Sequence, residues 1–382
     1  MKVRALAVLA GVAAMATAAS AGFWTTGAQT GLLEGISNNG VGSGSYNPFD
    51  TNGGYFTWTV ADGYRAIGGV SPGNGVGGQG KISNDGRYIC GTTYNAAMGY
   101  HEMSRYDRQT GLWTGFGMIP GVGAQVDAEV SSGWAVSGDG HTVGGLGWTS
   151  LGTADTHAFL YRDGVGPIDW GTASTGHSAR INGLNGDGTV AAGWQDGAGR
   201  QGAVWVNGTQ ELIYKTDGVT AASEAYEVSN DGRWAVGLGL GSFFSAGMAY
   251  RYDIENDVYY DISNLATGAQ RSMAAAAING DGTLIGGGTW GVGPATWGNG
   301  FIWAEGVGTM TVGEYLDMQG VNYDETFHFA FVSSISEDGQ WIAGWGNYAG
   351  PADTQSFIIH IPTPGAASML ALGGLVATRR RR

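Results

Sequence analysis

One short pattern recurs along this chain and constrains its fold more than any other feature. Its clearest copy is Val-Ser-Asn-Asp-Gly at residues 228–232, and a degenerate first copy, Ile-Ser-Asn-Asn-Gly, occupies residues 36–40. The other copies begin at Ile82, Val136, Leu184, Ile278 and Ile335. Successive copies lie 44 to 57 residues apart. Seven copies at this period are typical of a repeat protein built from one supersecondary unit.

Each copy predicts a tight turn that follows a strand. A β-branched or other aliphatic residue ends the strand, aspartate can hydrogen-bond to its local backbone, and glycine accepts the positive φ of such a turn. We therefore assign a structural role, and no catalytic, cofactor-binding or metal-binding role, to these residues. They are Asp85, Gly86, Asp139, Gly140, Asp187, Gly188, Asp231, Gly232, Asp281, Gly282, Asp338 and Gly339.

The residues around each turn predict further strands. A short apolar segment with glycine follows the turn, as in Ile342-Ala343-Gly344, and most copies carry an aromatic strand 16 to 22 residues further on, as in Phe301-Ile302-Trp303. Several short strands in about 50 residues suit a propeller blade of four strands. We predict an all-β propeller of about seven such blades; a β-solenoid or a pair of sandwiches is the alternative.

The repeats follow one another without a charged or proline-rich linker, so the sequence predicts one domain over residues 22–360. The repeats lie near residues 36–81, 82–135, 136–183, 184–227, 228–277, 278–334 and 335–360. The last copy is too short for a full blade, while Phe23-Trp24-Thr25 resembles a strand without a turn of its own. We expect residues 22–35 to complete the last blade and close the ring. The longest spacer contains residues 313–318, for which we expect a helical turn or a loop that acts as a lid.

The first 21 residues predict a secretory signal peptide. Lys2 and Arg4 precede a run of small apolar residues, and Ala19-Ser20-Ala21 fits a small-x-small cleavage site, with Ala19 and Ala21 at its two small positions. We expect cleavage after Ala21. The alternative is an uncleaved anchor, although the apolar run is short for a membrane span.

The charge of the domain excludes some partners. Residues 22–360 contain all 32 acidic residues but only 12 of the 18 basic ones, 12 positive against 32 negative, which gives a net charge of −20. Such a surface repels nucleic acid and anionic membranes and tolerates divalent cations and neutral or cationic polymers. The single cysteine, Cys90, replaces an aliphatic residue of other copies, and we expect it to be a buried small hydrophobe.

No residue pattern in the sequence defines a catalytic or cofactor site. Residues 75–80 match G-x-G-x-x-G, but with 72 glycines such matches arise by chance, and a β-turn follows where a phosphate-binding loop needs a helix. Each turn aspartate offers too few oxygens for calcium, and we expect the turns to lie apart, blade by blade. The six histidines show no metal-ligand spacing. We predict no cofactor and no metal. An enzyme on a propeller would gather acidic residues at the mouth of its central channel, and the candidates are Asp107, Asp169, Asp253 and Asp324. The tryptophans that could stack on sugar rings are Trp148, Trp170, Trp194, Trp290 and Trp345.

The complete repeat unit resembles two known patterns. Ile/Val-Ser/Asn-x-Asp-Gly, an apolar residue with glycine, and then Ala-Phe-x-Trp/Tyr together resemble the HAF-type extracellular repeats of exported bacterial proteins. The turn also resembles the Asp-box turns found on many propellers. The resemblance covers nearly the whole domain and implies a propeller-like fold; it carries little information about activity.

The C-terminal residues 361–382 resemble a PEP-CTERM sorting signal. Pro362-Thr363-Pro364 stands in place of Pro-Glu-Pro, a 13-residue apolar stretch follows, and Arg379, Arg380, Arg381 and Arg382 end the chain. As a hydrophobic helix this stretch would reach about 20 Å, against a hydrocarbon core of about 30 Å. The resemblance implies export, transient anchoring in the inner membrane and cleavage by an exosortase-type enzyme in a Gram-negative cell. A permanent C-terminal membrane helix is the alternative.

Three functions are compatible with these observations. The first is a non-enzymatic propeller at the cell surface or in the extracellular matrix, which binds or organises exopolysaccharide or protein partners. The second is a polysaccharide hydrolase or lyase on the same scaffold, which would carry paired carboxylates in a central cleft about 5 to 10 Å apart. The third is a surface protein without ligand affinity. We favour the first.

Overall fold

The fold was analysed in a computed structural model of the chain. It describes residues 21–27, 31–46, 53–70, 77–122, 129–149, 155–173, 176–197, 199–239, 248–262, 273–289 and 298–362. Ala19 of the signal peptide, Trp290 and the tail from Thr363 therefore lie outside the described residues. Within the described ranges no helix is long and apolar enough to cross a membrane.

Nearly all regular structure is antiparallel sheet. Strand β1 spans Gly22–Thr25, and β2 to β5 span Leu32–Ile36, Gly42–Tyr46, Gly54–Thr59 and Gly63–Gly68. Strands β6 to β8 span Tyr88–Asn95, Tyr100–Asp107 and Leu112–Gly115. Strands β9 to β12 span Ser131–Val136, Thr142–Trp148, Thr156–Arg162 and Gly166–Gly171. Strands β13 to β16 span Ala179–Leu184, Val190–Asp196, Arg200–Val206 and Thr209–Leu212.

The second half of the chain continues the same succession of strands. Strands β17 to β20 span Ala225–Val228, Trp234–Leu238, Ala249–Asp253 and Val258–Asp261. Strands β21 to β24 span Met273–Ile278, Leu284–Thr289, Gly300–Ala304 and Gly308–Thr311. Helix α1 spans Val312–Gln319, and β25 to β27 span His328–Ile335, Trp341–Asn347 and Gln355–His360. A 3₁₀ turn, Pro351–Asp353, precedes β27.

Hydrogen bonding does not separate these strands into seven four-stranded sheets, so the prediction is wrong in that form. Among the described residues there are six sheets: four of four strands, one of three and one of eight. The eight-stranded sheet arises because β22 pairs with β25 at Gly288 and Phe331. The three-stranded sheet, β6 to β8, has only an isolated bridge, Ile82 to Ile89, where other sheets have a first strand.

The two ends of the domain pair as expected at residues 22–25, whereas residues 32–35, which were also expected to complete the last blade, belong to β2 of the next sheet. Strand β1 pairs antiparallel with β27, from Gly22 opposite His360 to Thr25 opposite Phe357. Leu33, Ile36 and Phe56 of the next sheet then pack against Trp341 and Ile358. Similar apolar clusters fill the spaces between consecutive sheets, as where Val136 and Phe159 meet Cys90 and Met103. The core is therefore a set of interfaces between neighbouring sheets arranged around one axis.

The spacer between the last two repeats forms a helix, as expected for residues 313–318. Thr311 caps α1 and forms a capping box with Glu314, in which each side chain binds the backbone N–H of the other residue. Gly320 ends the helix in the left-handed conformation, at φ 67°. Val312 and Leu316 bury the inner face of α1 in the cluster shared with Phe327 and Phe329. This packing fixes the segment that follows the helix.

Candidate functional site

The seven turns of the repeat meet at one end of the axis instead of lying apart. The third residue of each turn, or the residue after it, donates its backbone N–H to the tip of the next turn at 2.8 to 3.1 Å. The circle closes where the Asp338 N–H donates to Oδ1 of Asn38 at 3.2 Å. Asn84 Nδ2 also donates across the axis to Asn230 Oδ1 at 2.8 Å. This end of the axis is a hydrogen-bonded plug.

The turn aspartates act inside their own turns. In all six copies that carry aspartate, its Oδ1 accepts the backbone N–H two residues later, at 2.9 to 3.1 Å. The glycine that follows, together with Gly40 of the first copy, has φ between 70° and 78° in all seven turns. The described residues contain no group of three His, Cys, Asp or Glu side chains that could hold a metal ion.

The innermost strands carry a bulge that the sequence pattern does not reveal. In six copies the strand register shifts two residues before the strand's last apolar residue. The bulged residues are Glu34, Trp134, Asn182, Tyr226, Ala276 and Ser333. The bulge brings a carbonyl against the next strand: a Cβ at Gly237 would lie 2.1 Å from the oxygen of Glu224. Close backbone approach therefore explains several glycines of the apolar-glycine segment.

An axial cavity lies behind the plug and contains charged groups. It has a volume of about 80 Å³ and is lined by Glu34, Lys81, Glu227 and Glu337 among others. Lys81 Nζ lies 2.6 Å from Glu227 Oε2 and 2.6 Å from the carbonyl oxygen of Asn182. Ligand pockets commonly measure about 300 to 1,000 Å³, so this cavity is the size of a few water molecules.

Burial shifts the pKa values of two carboxyls in this cavity. Glu34 Oε2 accepts the Gly80 N–H at 2.6 Å and Oε1 accepts from the Ser45 hydroxyl at 3.0 Å. Burial nevertheless raises the pKa of Glu34 from 4.5 to about 7, because the loss of hydration exceeds the effect of these bonds. Burial also raises the pKa of Glu227, against the opposing attraction of Lys81.

A second charged cluster stacks on tryptophan. The Arg180 guanidinium lies 3.7 Å from the ring centre of Trp134, and that of Arg200 lies 3.8 Å from the ring centre of Trp194. Both arginines reach the buried carboxylate of Glu224, at 2.9 and 3.4 Å. Such stacked ion pairs hold neighbouring side chains in fixed positions, and Asp196, 3.5 Å from Arg200, balances the second positive charge of the cluster.

A surface depression lies where the ring closes. This groove is lined by Phe23, Thr25, Asn322, Tyr323, Asp324 and Tyr348, and it has a volume of about 370 Å³. Three separate segments build it: β1, the segment after α1, and the residue that follows β26. We call it the seam groove.

A cluster of aromatic rings holds the walls of the seam groove. The ring of Phe327 lies 5.2 Å from Phe23 and 5.0 Å from Tyr348, and Tyr323 lies 5.7 Å from Phe329. The Thr25 hydroxyl hydrogen-bonds to Tyr348. Tyr348 is 40% exposed, so its ring combines a fixed position with an open face.

The other residues singled out from the sequence have structural contacts. Asp107, Asp169 and Asp253 pair with Arg87, His157 and Arg233 at 2.8 to 2.9 Å, whereas Asp324 lines the seam groove. Trp345 is buried and stacks on Phe331, and Trp170 packs against the cluster that contains Trp205. The Nε1 atom of Trp148 is buried without a hydrogen-bond partner. Cys90 is fully buried, as predicted, and burial raises its pKa to about 12.

Apart from Asp324, the sequence did not mark any residue of the axial cavity or of the seam groove as a site residue. One usable signal was the position directly before the repeated turn, where Lys81 and Glu227 interrupt a pattern that is otherwise Gly, Ala or Ser. No such signal marks Phe23, Tyr323 and Tyr348, because they come from three distant parts of the chain.

The fold defines this chain as a β-propeller protein. It is similar to the β-propeller domain of the Trilobed protease from Pyrococcus furiosus, with a TM-score of 0.51 and 11% identity over 86% of this chain and 95% of that one. It is also similar to oligogalacturonate lyase from Vibrio parahaemolyticus, with a TM-score of 0.51 and 10% identity over 90% and 98% of the two chains. Likeness at this level of identity shows the fold alone.

TolB from Acinetobacter baumannii matches less closely, with a TM-score of 0.44 and 13% identity over 69% of this chain, and the chain spans 61% of TolB. No protein-family model matches the sequence, and no curated protein matches it.

Proposed function

We propose that this chain is a non-enzymatic propeller of the cell surface that binds extracellular polysaccharide in the seam groove. The observation that carries the proposal is the groove itself, in which two tyrosine rings and Phe23 stand beside hydroxyl, amide and carboxylate groups. Aromatic rings pack on the apolar faces of sugars, while hydroxyl, amide and carboxylate groups bind sugar hydroxyls. The axial cavity is too small for a sugar ring, so ligand binding belongs at the surface.

The ligand part of this proposal is tested by substitutions in the groove. Tyr323→Ala and Tyr348→Ala each remove one aromatic wall, and we expect at least about tenfold weaker binding of an oligosaccharide ligand by calorimetry. Tyr214→Ala is the control, because Tyr214 is 39% exposed and lies in a different sheet region. The panel contains glucan, hexosamine and uronate hexasaccharides. Binding that Tyr214→Ala weakens as much as Tyr348→Ala would place the ligand elsewhere, and absence of binding to all three would reject the proposal.

Export and processing are further parts of the proposal. Cleavage after Ala21 would leave Gly22 as the first residue of β1, and cleavage of the tail near Pro364 would leave β27 complete at His360. Both expected processing sites therefore flank the folded domain without cutting a strand. This position supports secretion, transient anchoring of the tail in the inner membrane and release by an exosortase-type enzyme to the envelope or matrix.

Mass spectrometry of the chain recovered from the native cell surface tests this processing. A mature chain that begins at Gly22 and ends near Thr363 is the expected result. A chain that still ends at Arg382 and fractionates with the membrane would reject release by an exosortase and indicate a permanent tail anchor.

We also infer that the ring consists of seven blades, two of which share the eight-stranded sheet. Seven turns join in one circle, and the sheet divides at a single pair, Gly288 with Phe331, into two groups of four strands. The bridge at Ile82 would stand for the first strand of the three-stranded blade. An experimental structure with five or six separate angular repeats around the axis would contradict this count.

A further inference from the structure

The seam groove combines aromatic walls with negative charge. Asp324 lines the groove beside Tyr323 and Tyr348. Its carboxylate is fixed by its own turn, since Oδ1 accepts from the Thr326 N–H at 3.0 Å and from the Thr326 hydroxyl at 2.6 Å. These bonds lower the pKa of Asp324 from its ordinary value, so the group stays ionised in neutral solution.

Three further carboxylates lie near the two tyrosines. Asp317 and Glu325 are close enough to Tyr323 to raise its pKa, after the larger effect of burial. Asp353 acts on Tyr348 in the same way, and its Oδ2 accepts the Tyr348 backbone N–H at 3.4 Å. The groove is therefore bordered by negative charge along both tyrosine walls.

The chain supplies no basic residue from the segments that build the groove. There is no lysine or arginine between Arg4 and Arg65, nor between Arg271 and Arg379, and the second of these stretches contains nine acidic residues. His328 begins β25 near the groove segment, and its Nε2 lies 2.7 Å from the carbonyl oxygen of Gly298. The local field of these stretches thus has one sign, which attracts cations and repels anionic polymers.

Aromatic rings and carboxylates together are the groups that bind organic ammonium ions. A cation near the face of a tyrosine or phenylalanine is attracted by the ring quadrupole, and a nearby carboxylate adds a charge-assisted hydrogen bond. A sugar that carries an amino group can use the ring for its apolar face and the carboxylate for its ammonium. A uronate would instead bring its own carboxylate against that of Asp324, and the two negative charges would repel each other.

We propose that the ligand of the seam groove is a cationic glycan, a polymer of hexosamine residues with free amino groups. This inference rests on the proposed function and names the chemical class of the polysaccharide. Asp324 then distinguishes a charged hexosamine from its acetylated form, while Tyr323 and Tyr348 bind the sugar rings of both.

The test compares three hexasaccharides by calorimetry on the chain from Gly22 to Pro362: glucosamine, N-acetylglucosamine and galacturonate oligomers, at a pH at which the amine is protonated. We expect the glucosamine oligomer to bind most tightly, with an affinity that falls as salt increases. Asp324→Asn should weaken its binding about threefold or more and should weaken binding of the acetylated oligomer less, because asparagine can still hydrogen-bond to sugar hydroxyls. Asp217→Asn is the matched control, because Asp217 holds a similar exposed turn with Thr220, and it should change neither.

The outcomes separate this inference from the proposed function. The cationic class would be overturned, and the groove kept as the binding site, by one set of results. In it the glucosamine and N-acetylglucosamine oligomers bind equally, Tyr348→Ala weakens the binding of both, and Asp324→Asn weakens the binding of neither. Tightest binding of the galacturonate oligomer would also overturn it. If none of the three oligomers binds, or if Tyr323→Ala and Tyr348→Ala leave binding unchanged, both this inference and the proposed function are overturned.

Discussion

The buried carboxyl of Glu34 makes a quantitative prediction about stability and pH. Its pKa is about 7 in the folded chain against an ordinary value of 4.5. Between these two pH values the folded state holds a proton that the unfolded state has released. The free energy of unfolding therefore falls as pH rises from about 4.5 to about 7, and this contribution is constant above that range. The difference between the two pKa values corresponds to a loss of about 3 kcal/mol.

Glu34→Gln should remove this dependence, because glutamine resembles the protonated acid and does not titrate. It can still accept one hydrogen bond, from Ser45 or from the Gly80 N–H, and losing the other costs about 1 kcal/mol. At pH 5 the wild type has already lost about 1 kcal/mol of this contribution, so we expect the variant to be about as stable as the wild type. At pH 8 we expect it to be about 2 kcal/mol more stable.

The assay is urea unfolding of the chain from Gly22 to Pro362 at a series of pH values from 4.5 to 8.5. Glu227, whose pKa is also raised, leaves a decline of the same sign in the variant. Glu314→Gln is the control, since the pKa of Glu314 is lowered and its effect falls below this pH range. If Glu34→Gln and the wild type lose stability in parallel from pH 5 to 8, the assignment of a neutral buried Glu34 is refuted.

Three other perturbations probe the ring. Lys81→Met leaves the Glu227 carboxylate buried without its partner and should lower the free energy of unfolding by about 3 to 5 kcal/mol. Adding Glu227→Gln should restore much of that stability. Additive losses of stability in urea unfolding would contradict the pairing. Gly237→Ala places a Cβ 2.1 Å from the Glu224 oxygen and should lower the free energy of unfolding by about 2 kcal/mol or more, whereas an unchanged melting temperature would mean that the bulge relaxes freely. Deletion of residues 22–27 removes the closing strand, and we expect a lower melting temperature together with loss of ligand binding at the groove; retention of both would show that β1 is dispensable.

The fold was readable from the sequence because the turn chemistry repeats. Aspartate, glycine and a preceding apolar residue specify one local structure, and seven copies at a regular period specify a ring of short strands. The ring closure was also predictable, since a strand without a turn at one end complements an incomplete repeat at the other. The signal peptide, the sorting tail and the cleavage sites remain predictions, because they depend on chemistry outside the folded domain.

The contacts along the axis could not be read from the sequence. A bulge changes which side chain reaches the axis, and the sequence pattern alone does not locate it. Lys81 reaches Asn182 and Glu227, residues that lie 101 and 146 positions further along the chain. The eight-stranded sheet depends on one backbone pair at Gly288, which has no side-chain signature.

The position of the seam groove follows from the way a repeat protein can acquire a binding site. Within the ring, each interface between neighbouring sheets is constrained by the repeated turn, the crowded glycine and the apolar cluster. The seam differs, because β1 comes from the other end of the chain and the longest spacer, between Asp281 and Asp338, adds α1 and Asn322–Asp324. The residues that depart from the repeat are thus the residues that build the groove. A side chain can change there without altering the interfaces that hold the other sheets together, which makes the seam the place where ligand specificity can be adjusted independently of the fold.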